Sequence, residues 1–209
     1  MMSSLLIVGA GGFAKELLVA VRECGLYSEI LFFDDVTENS ESIFLGCFRV
    51  IKSIEEVEQR FAAGERKFSV GVGKPNDRES LTKKFEAIGG VPETIISPSA
   101  IIGEYDNVIH RGTCILSGSV IETSNTIGQG VLLHVGSFVS HDVTIGDFCE
   151  ISPRANLLGG VTLGKRCRVG TNATILPRVK LGDDVTVGAG AVVTKDVPSG
   201  VTVKGVPAR

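Results

Sequence analysis

From Ile127 to Val193 every sixth residue is Ile, Leu or Val, and ahead of that stretch, over the first ninety residues, strand-like apolar runs alternate with helix-like segments. The hexad pattern predicts a left-handed parallel β-helix. The alternation predicts an α/β unit with a small parallel sheet. The expected division is 1–93 for the α/β unit and 94–209 for the β-helix.

The α/β unit opens on a strand at Leu5 to Gly9, then the loop Gly9-Ala10-Gly11-Gly12, then a helix over Phe13 to Cys24. A strand at Ile30 to Asp34, a helix at Ile54 to Ala63, a strand at Phe68 to Gly73 and a helix at Pro75 to Ile88 follow. A glycine turn between a first strand and a helix leaves backbone N–H groups and a helix N-terminus where a phosphate would bind, and Asp34 and Asp35 close the second strand about twenty residues on. The unit is therefore Rossmann-like, with Gly9, Gly11, Gly12, Asp34 and Asp35 as a candidate site for a nucleotide or nucleotide sugar. The third glycine of G-x-G-x-x-G is absent, since Phe13, Ala14 and Lys15 follow Gly12. Gly71-Val72-Gly73 is a second glycine segment at a strand end, with Asn76 and Arg78 close enough in sequence to reach ribose or phosphate.

In the second unit the leading aliphatics are Ile127, Leu133, Val139, Ile145, Ile151, Leu157, Leu163, Val169, Ile175, Leu181, Val187 and Val193. Four places after each comes a small or medium residue, among them Ser137, Val143, Cys149, Ala155 and Cys167. A period of six fits neither a helix at 3.6 nor a strand at 2; it fits a triangular coil with a short strand on each face. Three hexapeptides make one coil, coils stack at about 4.8 Å, and residues 18 apart lie above one another, which makes Cys149 and Cys167 stacked core neighbours. Glycine follows the leading aliphatic at 128, 146, 164, 170, 182 and 188, where a sharp turn is expected. Upstream the rhythm reads Ile96, Ile102, Val108, Cys114 and Val120, then slips one residue before Ile127, which predicts a bulge within 122–126. A prism with flat strand-lined faces is expected to pack against copies of itself, most simply as a threefold-symmetric homotrimer.

A formal net charge of −3 and a pI near 5.7 leave no electrostatic footprint for nucleic acid. Five cysteines without a CxxC pair argue against a disulfide framework or a Cys-rich zinc site. The apolar run Leu5 to Val8 is too short for a signal-peptide core, and no stretch approaches a membrane span, so a cytoplasmic location without membrane insertion is expected.

His110, His134 and His141 are the three histidines. His141, in Ser140-His141-Asp142-Val143, stands third in a hexapeptide whose inward residues are Val139 and Val143, so its ring is expected to point out of the prism. An exposed neutral imidazole suits a general base at neutral pH. Asp142 is the adjacent carboxylate; Glu150, at another corner, is the other acid within reach of a ligand there. His134 is expected in a turn or a seam between subunits. The intervals of 24 and 7 between the histidines do not fit a three-histidine zinc site, and no metal is expected.

Residues 127–208 resemble the hexapeptide-repeat acyltransferases. The resemblance rests on His141-Asp142, Ile145-Gly146-Asp147, Ile151, Pro153, Gly159-Gly160, Leu163-Gly164, Val187-Gly188-Ala189-Gly190, Lys195-Asp196-Val197-Pro198 and Gly205-Val206-Pro207-Ala208. With the glycine-rich start, nearly the whole chain is similar to the sugar acetyltransferases that include sialic acid O-acetyltransferase and the N-acetyltransferases of UDP-linked 4-amino sugars. That resemblance implies His141 as general base, Asp142 as its orienting acid and a backbone N–H at Gly159 facing the thioester oxygen. It implies acetyl-CoA as co-substrate along a groove between two prisms, near Glu150, Ala155, Gly159, Thr171 and Ala189, with Lys195 or Lys204 at its phosphates. It implies a nucleotide-linked amino sugar on Gly9, Gly11, Gly12, Asp34, Asp35, Gly73 and Asn76. Some relatives carry a second histidine where this chain has Glu150. Transfer to the amine of a nucleotide-linked amino sugar is the expected reaction, with O-acetylation of a sugar hydroxyl, as on sialic acid, as the alternative.

Overall fold

A computed structural model describes residues 4–36 and 43–209, and the chain divides into two units, Met1–Ile95 and Ile96–Arg209. Among the described residues no helix is long and apolar enough to cross a membrane.

The first unit runs β1 (Ser4–Val8), α1 (Gly12–Cys24), β2 (Glu29–Phe33), β3 (Ile43–Phe44), β4 (Phe48–Ile51), α2 (Ile54–Ala62), β5 (Lys67–Val70), α3 (Pro75–Ala87) and β6 (Val91–Pro92). The sheet order is β3-β4-β2-β1-β5-β6. Its central strand β1 buries Leu5 to Val8 without alternation, as a parallel strand covered on both faces must. Phe33, Phe61, Phe68 and Phe85 fill one layer, Phe85 standing 5.2 Å from Phe33 and 5.5 Å from Phe68 between ring centres. The helix ends follow capping chemistry: Gly25 takes the left-handed conformation after α1, and the Ser53 hydroxyl accepts the Glu56 N–H at the start of α2.

The sheet is mixed, where an all-parallel one was expected. β3 pairs antiparallel with β4 through a turn whose central residues, Leu45 and Gly46, both have positive φ. That is the type I′ geometry of tight hairpins. Leucine is a poor residue for it, so the sequence carries no Asn-Gly-like signal there.

The second unit is the expected prism, eighteen two-residue strands among the described residues from Ile95–Ile96 to Thr202–Val203, in parallel sheets of seven, six and five. Coil-to-coil pairing is by 18: Leu133 beside Ile151 beside Val169 on one face, Val139 beside Leu157 beside Ile175 on the next. None of the twelve leading aliphatics is more than 3% exposed, and burying each contributes about 1.5–3 kcal/mol relative to leaving it in water. Cys149 and Cys167 are both sealed in this column.

Two details of the predicted repeat are corrected. The glycines directly after the aliphatics do not make the turn. The positive-φ residue lies two places later, at 130, 136, 142, 148, 154, 160, 166, 172, 178, 184 and 190, with φ between 56° and 73°. Glycines such as Gly146 are needed because the next coil passes overhead: a Cβ there would lie 2.5 Å from the Gly164 carbonyl oxygen. The slip is also elsewhere. Ile127 pairs with Ile109, 18 back, whereas Ile121 pairs with Ile102, 19 back, so the extra residue lies between Ile102 and Val108. Asn107 closes that bulge, its amide donating to the carbonyls of Gly103 and Glu122. The inward residues upstream are accordingly Ile109, Ile115 and Ile121, while Val108 is half exposed.

Candidate active site

Two places have the makings of a site, one in each unit. In the first unit, β1, β2 and β5 run parallel and end on the same side of the sheet, where such sheets open a crevice. A cavity of about 320 Å³ lies there, walled by Gly9, Gly11, Gly12, Asp34, Asp35 and Gly73 of the predicted set and by the apolar Phe13, Phe33, Val72 and Leu81, which sequence reasoning did not single out. Gly9 has φ 103° and a Cβ on it would meet the Val72 side chain at 2.9 Å; Gly71 touches Ala14 of α1 as closely, at 2.8 Å. The glycines thus bring β1, α1 and the loop after β5 together. Asp34 Oδ1 accepts the Val36 N–H, and Asp35 pairs with Lys84 at 3.2 Å. Asn76 is exposed on the first turn of α3 and is not part of the cavity wall.

In the prism, His141 and Asp142 occupy a corner. In an extended strand neighbours point apart, but Asp142 has φ 59°, and this left-handed turn carries its carboxylate back to the imidazole, Oδ2 lying 2.8 Å from Nδ1. Both side chains are exposed, at 60% and 65%. A carboxylate on Nδ1 favours the tautomer with its proton there, and the free lone pair is then on Nε2. One coil up stands Gly159. A Cβ on it would lie 2.7 Å from both Cε1 and Nε2 of His141, so the ring rests on a surface only glycine offers. The coil ladder uses the neighbouring N–H groups, Leu158 to Ile175 and Gly160 to the His141 carbonyl, and no hydrogen bond among the described residues uses that of Gly159. His141, Asp142 and Gly159 therefore form one cluster holding a base and a backbone donor.

The remaining predicted contacts are distributed differently. Lys195 shares the corner of His141 and Gly159 three coils along, on the order of 14 Å away at the usual spacing, and is exposed. Thr171 and Ala189 are stacked and exposed on another corner, and Lys204 is exposed beside Gly188 near the chain end. Ala155 is corrected: it is fully buried in the prism core, out of reach of any ligand on the surface. Glu150 is 8% exposed and committed, Oε2 accepting from Arg168 Nε at 3.1 Å and Oε1 lying 3.6 Å from His134 Nε2. His134, placed in a turn or seam by its sequence, is buried at 8% exposure. No group of three or more His, Cys, Asp and Glu among the described residues is placed to hold a metal ion.

The family model for the PglD N-terminal domain matches residues 4–85, and that for the bacterial transferase hexapeptide (six repeats) matches residues 142–176 and 160–195. Among solved structures, the acetyltransferase domain of PglB from Neisseria gonorrhoeae is 32% identical, with a TM-score of 0.90 over 99% of this chain and 98% of that one. A perosamine N-acetyltransferase from Caulobacter crescentus, in complex with CoA and GDP-perosamine and with one histidine replaced by asparagine, is 29% identical, with a TM-score of 0.90 over 100% and 97%. WeeI from Acinetobacter baumannii is 28% identical, with a TM-score of 0.90 over 100% and 99%. No curated protein matches the sequence at a significant level.

Proposed function

Since this chain belongs to the hexapeptide-repeat sugar acetyltransferases with a PglD-type N-terminal domain, we propose that it transfers the acetyl group of acetyl-CoA to the amine of a nucleotide-linked amino sugar. The observation that carries the proposal is the His141–Asp142–Gly159 cluster, a base and an unspent backbone donor on one corner of the prism. The N-acetyl reading stands ahead of O-acetylation because the Caulobacter relative is a nucleotide-sugar N-acetyltransferase bound to its amino sugar, and because the first unit of this chain has a cavity of nucleotide-site type at the strand ends.

The chemistry follows from the geometry. Nε2 of neutral His141 takes a proton from the sugar amine as its nitrogen attacks the thioester carbonyl. Asp142 on Nδ1 fixes that tautomer and stabilises the imidazolium that forms. The thioester oxygen gains charge in the tetrahedral intermediate, and the Gly159 N–H is the donor that receives it. The C–S bond then breaks, CoA leaves as the thiol on taking up a proton, and the amide remains on the sugar. Thr171 and Ala189 lie on a different corner from His141, which supports a groove between neighbouring prisms of a homotrimer, one protomer giving the base and the next the opposite wall, with Lys195 or Lys204 at the phosphates of CoA. Use of acetyl-CoA supports a cytoplasmic enzyme.

The test is thiol release from acetyl-CoA with a panel of UDP-, GDP- and dTDP-linked amino sugars, run beside His141→Ala. One amino sugar is expected to be acetylated, with the rate falling about a hundredfold or more in the variant. An unaffected variant removes His141 from the mechanism, and activity on free sialic acid alone overturns the N-acetyl reading.

A further inference from the structure

A guanidinium taken out of water has to find acceptors, so a buried arginine marks a place where the chain needs its charge. Arg78, in the first turns of α3, is 2% exposed. Its Nη1 donates to the carbonyl oxygen of Gly73 and lies 3.5 Å from that of Val72. Gly71, Val72 and Gly73 form a wall of the cavity in the first unit. The wall is tied at its other end by the Gly71 N–H, which donates to the Val8 carbonyl at 2.7 Å. The sequence groups Arg78 with Asn76 as a contact to ribose or phosphate; instead it is buried on the carbonyls of the wall and is not among the residues that line the cavity.

Holding those carbonyls has two physical consequences. In a trans peptide the C=O and N–H point in opposite directions. With the Gly73 oxygen held by Arg78 and the Val72 oxygen facing it at 3.5 Å, the N–H groups of the same two peptide units, on Gly73 and Lys74, are turned away from it. A short run of backbone N–H groups oriented together is an anion-binding surface. The positive charge also stays close behind the wall, in a medium that screens it less than water does.

We propose that Arg78 is a positioning residue for the diphosphate of the nucleotide-linked substrate: from behind the Gly71–Gly73 wall it turns the backbone dipoles so that the cavity accepts negative charge, without touching the ligand itself. This rests on the nucleotide-sugar reading of the cavity.

The experiment is calorimetric titration of the full chain with whichever of GDP, UDP and dTDP binds the wild type most tightly, and with the parent nucleoside, in wild type, Arg78→Gln and Arg78→Lys. Arg78→Gln is expected to weaken the diphosphate about tenfold or more and the nucleoside less than about twofold; Arg78→Lys, which keeps the charge but not the planar fork of donors, falls between. The KM for acetyl-CoA stays within about twofold of wild type, because that co-substrate binds on the prism. Equal losses for diphosphate and nucleoside overturn the proposal, since they describe a collapsed wall rather than a lost electrostatic role. An unchanged diphosphate affinity overturns it as well. If Arg78→Gln does not fold, the ratio in Arg78→Lys decides by the same criterion. A wild type that binds none of the three diphosphates sinks the functional reading of the cavity together with this inference, whereas wild-type binding with unaltered variants sinks the inference alone.

Discussion

In the α/β unit the cavity is made by backbone: Gly9 and Gly71 let β1, α1 and the loop after β5 approach closer than any side chain allows. At the prism corner the backbone is nothing special. The same left-handed turn recurs at eleven positions from 130 to 190, and only the one with His141 before it carries an imidazole. The difference teaches where each site is vulnerable. Adding an atom to the backbone of the first should damage stability and binding together, while changing the side chains of the second should remove chemistry and leave the fold standing.

Gly159→Ala tests the prism side of this comparison and carries a larger effect on activity than its counterpart in the first unit. Gly159 does not have a positive φ, so alanine fits the local conformation, and the nearest atoms to the added methyl are those of the exposed His141 ring, at 2.7 Å. The ring swings outward at little cost, but a base displaced by about an ångström loses roughly 10–100-fold in rate. The expected outcome is a large fall in kcat with an unchanged melting temperature and unchanged nucleotide affinity. A melting temperature that drops with the rate would mean that the corner is structural after all.

Gly71→Ala is the counterpart in the first unit. Its methyl would meet Ala14 Cβ at 2.8 Å, Ile7 Cγ2 at 3.0 Å and Ala14 Cα at 3.1 Å, none of them the mobile end of a long side chain. The expected cost is about 1–3 kcal/mol of stability, read as a lower midpoint in denaturant titration, with weaker nucleotide binding alongside. Full stability with full nucleotide affinity would show that the wall has room to shift and would erase the contrast between the two sites.

The prism was the more legible of the two units because its repeat is a packing constraint written twice, as the aliphatic track and the small-residue track. It failed where both readings were apolar. Val108–Ile109, Cys114–Ile115 and Val120–Ile121 satisfy either phase, and the second track that should choose between them is polar here: Thr113, Ser119 and Asn125 lie inside. Most of their hydrogen-bonding capacity is taken up by the coil backbone, Thr113 donating to the Gly128 carbonyl, Ser119 to that of His134, and Asn125 Oδ1 accepting the Val143 N–H, while Asn125 Nδ2 is buried with no partner among the described residues. Ala155 shows the converse error. The period placed it inside and the family resemblance placed it on the cofactor; the packing decides for the period. The meeting of Asp142 with His141 is implied by the family resemblance but not legible in the residues alone, because it needs a left-handed turn at a non-glycine residue, a state that costs roughly 1–2 kcal/mol alone and that the stacked coils impose.

The smallest effect belongs to a second aspartate in the same backbone state. Asp184 has φ 58° against 59° for Asp142, but it faces no histidine; it accepts from Arg166 one coil below through both Nε and Nη2 at 2.8 Å. Its carboxyl is held below the ordinary value of 3.8 chiefly by that Arg166 hydrogen bond, against a smaller opposing effect of burial. A depressed folded-state value means the carboxylate contributes stability above pH 3.8, and that the contribution is lost as pH falls through the depressed value. The side chain is 44% exposed, so solvent screening limits the pair to a few tenths of a kcal/mol. Asn also tolerates the left-handed conformation, so Asp184→Asn isolates the ion pair from the turn. It should lower stability by that small amount at neutral pH, approach the wild type as pH falls through the depressed value and leave acetyl transfer unchanged. Thermal melts in a series from pH 7 downward check this, the difference shrinking as pH falls; a loss above about 1 kcal/mol at neutral pH, or one that does not shrink at all in acid, would mean that the stacked coils depend on their corner side chains and not only on the buried aliphatic columns.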